Sequence, residues 1–132
     1  MKVLFALALL LAGCGMNPRV NAPVLTPPQS RQAAARALED ALILAGRGVS
    51  EVRVDQAALA WNERHRRADD STVMYRRELD LRLVRQVSRP RKVEMGWQLE
   101  LEAAGGRLFF AFKDDLSASR AEAAFIRLME PD

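Results

Sequence analysis

The sequence predicts an α+β domain, a small antiparallel β-sheet or split barrel with a preceding helix and a C-terminal capping helix. Three patterns predict it. An alanine-rich stretch with apolar residues three and four apart comes first. A long middle stretch then alternates apolar and charged residues with a period of two, and the chain ends on a second stretch with helical spacing. Antiparallel strands with one wet face need a layer over the other, and the terminal helix is the element that supplies it.

Each element has its own signal. Ser30 is a capping residue, and Ala34, Ala37, Leu38, Ala41, Leu42 and Ala45 form the apolar stripe of the first helix, with Gly46 as its stop. From Val49 the period changes: Val52 and Val54 alternate with Arg53 and Asp55, and Gln56 to Trp61 returns as the second strand of a hairpin. Glu63 to Ser71 (ERHRRADDS) reads as a charged loop. Thr72 to Tyr75 is expected to be one strand, and the run in which Leu79, Leu81 and Leu83 alternate with Asp80, Arg82 and Val84 another. After Ser88-Arg89-Pro90, a continuous strand is expected to place Val93, Met95, Trp97, Leu99 and Leu101 on one face, with Glu94, Gln98, Glu100 and Glu102 on the other. Gly105-Gly106 turns the chain, and Leu108 to Phe112 comes back as the partner strand. Ser117 or Ser119 caps the last helix, Ser119 standing in capping-box spacing with Glu122, and Ala121, Ala124, Phe125, Leu128 and Met129 are its stripe ahead of Pro131.

A strand run, a final hairpin WQLELEAAGGRLFFAF, a short acidic loop at Asp114-Asp115 and a closing helix ending FIRLM together resemble a small pleckstrin-homology-like domain. The resemblance covers about Val49 to Met129 and is one of pattern; the helix ahead of the first strand departs from it. It implies a domain that binds or scaffolds rather than catalyses.

Composition narrows the chemistry. Cys14 is the only cysteine, so the chain can form no intramolecular disulfide and the domain holds no cysteine for a zinc site or a thiol nucleophile. His65, the sole histidine, has no cysteine or second histidine nearby in sequence and reads as a solvated loop residue rather than a metal ligand or triad member. Asp69-Asp70, Asp114-Asp115 and the Glu100, Glu102 pair fall on loops or a wet face, whereas acid-base chemistry needs a buried, perturbed pair. The expectation is no catalytic residue, no metal and no dissociable cofactor. The formal charge is only +3, but arginines crowd the middle of the chain. Arg64, Arg66, Arg67, Arg76, Arg77, Arg82 and Arg85 are the candidates for contact with an anionic surface, either phospholipid headgroups or an acidic protein. Trp61 and Trp97 read as core.

The N-terminus carries a different signal. Met1-Lys2 precedes an apolar run of ten residues, Val3 to Ala12. That is the length of a signal-peptide core and too short for a membrane span, which needs roughly 20. Leu11-Ala12-Gly13-Cys14 then resembles the bacterial lipobox at all four positions. The resemblance implies a signal peptide over residues 1–13, with Leu11, Ala12 and Gly13 recognised by the dedicated peptidase. Cys14 would carry a thioether-linked diacylglycerol and an N-acyl chain, and Gly15, in place of aspartate, leans towards the outer membrane. Residues 14–29, with Pro18, Pro23, Pro27 and Pro28, form a tether that reaches ~40 Å from the lipid. Residues 30–132 form a single domain.

The expected function is a non-catalytic binding or scaffolding module, anchored by lipid to the bacterial cell envelope and facing the periplasm, with an envelope protein as its partner. The alternatives are a structural subunit of an envelope complex and an envelope hydrolase. Nucleic acid is excluded by address rather than by charge.

Overall fold

In the computed structural model, residue 28 and residues 30–130 are described, and the expected signal peptide, the lipobox-like Leu11-Ala12-Gly13-Cys14 and most of the expected tether lie outside them. Helix α1 (Arg31–Ala45) begins where the capping signal stands: the Ser30 side chain accepts the Ala33 N–H at 3.0 Å. Its buried residues include Ala34, Leu38, Ala41, Leu42 and Ala45, the predicted stripe apart from the partly buried Ala37, with Ala35 added. The helix ends because the chain runs straight into a strand, Gly46 having an extended φ of −66°. A side chain there would collide with the Leu42 carbonyl, and its Cβ would lie 2.7 Å from Val49 Cγ2. Glycine at this corner therefore provides room for a close approach rather than a left-handed cap.

Eight strands follow: β1 (Gly46–Arg47), β2 (Val49–Val54), β3 (Ala58–Arg66), β4 (Thr72–Asp80), β5 (Val84–Val87), β6 (Arg91–Val93), β7 (Gly96–Ala103) and β8 (Gly106–Phe112). Helix α2 (Asp115–Met129) closes the chain. The strands make two antiparallel sheets. One is β2-β3-β4; the other is β1-β8-β7-β5, with β6 also paired to β7. The chain crosses between them at Gly48, which adopts φ 72°. At the far side β4 and β5 do not pair, so the sheets stay open. The fold is α+β, with a helix ahead of the sheets and one behind, consistent with the pleckstrin-homology-like pattern.

Four expectations are corrected. Glu63 to Arg66 is strand, not loop: β3 pairs with β4 without interruption from Ala58↔Asp80 to Arg66↔Thr72, leaving only residues 67–71 to turn. Charge in this segment reports exposure on both faces of a projecting hairpin, and pairing decides the backbone. Likewise, Thr72 to Asp80 is one strand. Leu81–Leu83 is a 3-10 turn in which the Arg82 N–H donates to the Asp80 carboxylate, and β5 comes only after it. The third correction concerns the expected continuous strand at Val93 to Leu101, which breaks at Glu94-Met95. Gly96 turns the chain with φ 137°, leaving Met95 68 % exposed in the bend, where its carbonyl accepts from Arg47. From Trp97 on, the predicted faces hold, with Leu99 and Leu101 buried. Finally, neither Ser117 nor Ser119 caps α2. Asp114 does, its carboxylate accepting the Ser117 N–H at 2.8 Å, because an anion at a helix N-terminus satisfies the free N–H and opposes the dipole.

The core lies between the helices and the inner faces of both sheets. Alanines at 34, 41, 118, 121 and 124, all at most 5 % exposed, let α1 and α2 pack closely. An aromatic row crosses the core: Phe110 of β8 lies edge-on to Trp61 of β3 at 5.1 Å and stacks on Phe125 of α2 at 6.0 Å.

Candidate binding surface

The domain has two poles. Arg31, at the start of α1, donates to the carbonyls of Glu130, after α2, and Gln56, in the β2–β3 turn. The point where the tether would join therefore lies beside that turn. The β3–β4 turn sits at the opposite end of a nine-residue strand, about 30 Å away.

Among the described residues, strand β4 pairs only with β3. The Leu81 N–H continues that ladder, donating to the Ala57 carbonyl at 2.8 Å. Residues of odd number in β4 thus bond to β3, and by alternation the backbone N–H and C=O groups of Met74, Arg76 and Glu78 point outward along an open sheet edge. Arg76 and Glu78 are exposed, and Met74 and Tyr75 are each about half exposed.

Residues directly opposite one another share a face, so the register sorts the side chains. Leu59 and Trp61 look into the core, and the same face continues along β3 to Glu63 and His65, opposite Arg77, Tyr75 and Val73 of β4. Past Trp61 this face leaves the core and turns polar. Glu63 Oε2 lies 3.4 Å from His65 Nε2 and 3.5 Å from Arg77 Nη1, and the His65 ring stands edge-on to Tyr75 at 5.2 Å. His65 is therefore a strand residue held between a carboxylate and a phenol ring, not the loop residue that its charged surroundings suggested.

The outer face carries Arg64, Arg66 and Arg76. Arg76 donates to the Glu51 carbonyl at 2.8 Å and to Asn62 Oδ1 at 3.2 Å, which holds its stem flat on the sheet. Arg66 lies 4.0 Å from Asp70. The remaining predicted arginines do not join them. Arg67 begins the distal turn, Arg77 points to the inner face, and Arg85 belongs to β5 in the other sheet. Arg82 grips Asp80 through two bonds of 3.0 and 2.9 Å, and these side-chain hydrogen bonds hold the Asp80 carboxyl below the ordinary aspartate range while raising the guanidinium. The seven arginines are spread over several surfaces, three of them on one face.

The acidic pairs have structural partners. Asp69 accepts the Ser71 hydroxyl at 2.6 Å and its N–H at 3.0 Å, which fixes the distal turn and lowers the Asp69 pKa. Asp114 caps α2, and Glu100 pairs with Arg107 at 3.4 Å.

A cleft of about 330 Å³ opens between the end of β4 and the β7–β8 turn. Leu79, Leu83 and Leu108 line it, Arg77 and Arg107 stand at it, and Trp61 contributes to its wall. Trp61 is 2 % exposed, and its Nε1 has no hydrogen-bond partner among the described residues. The open edge and the cleft were not among the sequence candidates. Their only local trace was the alternation of Met74 to Leu79, which marks a strand without saying whether a neighbour covers it.

Among the described residues no cluster of three or more His, Cys, Asp or Glu side chains is placed to hold a metal ion, and no helix is long and apolar enough to cross a membrane. No protein-family model matches the chain, and comparison with curated proteins and with solved structures found none significantly similar to it.

Proposed function

We propose that this chain is a lipid-anchored protein of the bacterial envelope, facing the periplasm from the outer membrane, whose folded domain is a non-catalytic binding or scaffolding module. The lipobox-like Leu11-Ala12-Gly13-Cys14 behind a ten-residue apolar run is the observation that carries this reading. It is supported by a domain whose first helix begins at Arg31, so that a proline-rich stretch separates the fold from Cys14. On the binding side, support comes from the open edge of β4 and the cleft beside it. A protein partner accounts for an edge of outward N–H and C=O groups better than a lipid surface does, because a strand supplies the matching donors and acceptors.

The test is the intact mass of the membrane-bound protein. It is expected to begin at Cys14 and to carry the diacylglyceryl and N-acyl groups. Cys14→Ser is expected to stay uncut before residue 14 and to carry no lipid, because serine offers no thiolate for the thioether. Trimming of the serine variant at the same bond would overturn the reading.

A further inference from the structure

We infer that the open edge of β4 pairs with the same edge of a second copy of this chain, joining the two three-stranded sheets into one of six strands. This deepens the reading above by naming the partner.

The argument begins with the self-complementarity of the strand. Only residues of even number present free backbone groups, so an antiparallel pair of β4 strands places even residues opposite even residues in the bonded positions. A twofold axis on Arg76 would set Arg76 against itself, and an axis on Glu78 would set Glu78 against itself. With the axis on Arg77, Arg76 of each copy lies opposite Glu78 of the other, twice by symmetry. These are bonded positions, so the same residues that exchange N–H···O=C bonds also pair opposite charges on the outer face. On the inner face Tyr75 meets Leu79 of the second copy. The two Arg77 side chains meet at the axis, each already 3.5 Å from its own Glu63 carboxylate, which offsets their repulsion. Arg76 and Glu78 are exposed, and the Arg76 guanidinium, which rests on the Glu51 carbonyl and Asn62 of its own copy, swings towards the edge to meet the second strand.

A junction of one strand edge falls well short of the roughly 800 Å² per partner that a stable soluble interface buries. Confinement of the copies to a membrane raises their effective concentration and lets a weak junction form; in this respect the inference rests on the proposed anchor.

Cysteine crosslinking in the native membrane tests it on the full chain. With Cys14 lipidated, Arg77→Cys supplies the only free thiol, at a non-bonded pair where opposed Cα atoms lie within disulfide range. Mild oxidation is expected to give a covalent dimer. Arg76→Cys, whose counterpart would be displaced by two residues to roughly 8 Å, is expected to give none. Adding Arg76→Glu to Arg77→Cys should cut the dimer about tenfold by opposing carboxylates, and adding Glu78→Arg as well should restore it. No dimer from Arg77→Cys, equal yields from both cysteines, or no restoration by the charge swap would each overturn the inference. A failed anchor is recognised separately, because the intact mass would then lack the acyl groups and Cys14 itself would react with a maleimide.

Discussion

Replacing Phe110 by alanine is expected to cost far more than replacing its neighbour Phe109, although the two are adjacent in one strand and chemically identical. Phe110 is 3 % exposed and holds the middle of the aromatic row, touching Trp61 at 5.1 Å and Phe125 at 6.0 Å. Truncation of a buried phenylalanine costs about 3–5 kcal/mol in lost transfer energy and residual cavity. Two aromatic contacts of about 0.5–1.5 kcal/mol each push the loss towards the upper end of that range. Phe109 is 51 % exposed on the outer face, opposite Glu100, so its truncation is expected to cost less than about 1 kcal/mol. A domain of this size has ~5–15 kcal/mol in total. Urea unfolding followed by the fluorescence of Trp61 and Trp97 is therefore expected to show Phe110→Ala largely unfolded or shifted to a much lower midpoint. Phe109→Ala should stay close to the parent, with an unchanged slope. Similar losses at the two positions would refute the register of β8 and the assignment of its core face.

Two further predictions concern α2. Asp114→Ala removes the N-cap that the Ser117 N–H uses and is expected to lower stability by about 1 kcal/mol, while Ser119→Ala changes little; thermal unfolding of the pair checks which residue caps the helix. Burial raises the carboxyl pKa of Glu122, with Arg89 pulling it down and Asp115 adding to the rise. The stability linked to its proton is fully present below the ordinary glutamate range and is lost as pH rises through the raised folded value. Glu122→Gln is therefore expected to be the more stable protein near pH 7, with the difference shrinking as pH falls through the raised folded value and levelling off below the ordinary glutamate range; a difference that is constant with pH would sink this assignment.

Side-chain periodicity alone carried much of the fold. The alanine stripe of α1, the apolar stripe of α2, the β7–β8 hairpin and the burial of Leu99 and Leu101 were all legible, because burial on one face requires a fixed spacing of apolar residues whatever lies opposite. Where the pattern was polar on both faces, as from Glu63 to Arg66, it carried exposure without backbone conformation, and the hairpin was cut short. Where apolar residues kept alternating through a bend, as across Met95, it joined two strands that Gly96 separates.

The candidate surface depended on tertiary structure still more. Seven arginines close together in sequence read as one basic feature, but strand register sends Arg76 and Arg77 to opposite faces, and Asp80 takes Arg82 away from both. What the amino-acid sequence determined by itself was the α+β class, the helix stripes and the likeness of Leu11-Ala12-Gly13-Cys14 to a lipobox, all written in short runs of neighbouring residues. Tertiary structure alone decided that β4 lacks a second neighbour among the described residues and that a cleft opens beside Trp61. The reason is physical: an edge is defined by which distant strand fails to supply hydrogen bonds, and no local pattern encodes a missing partner.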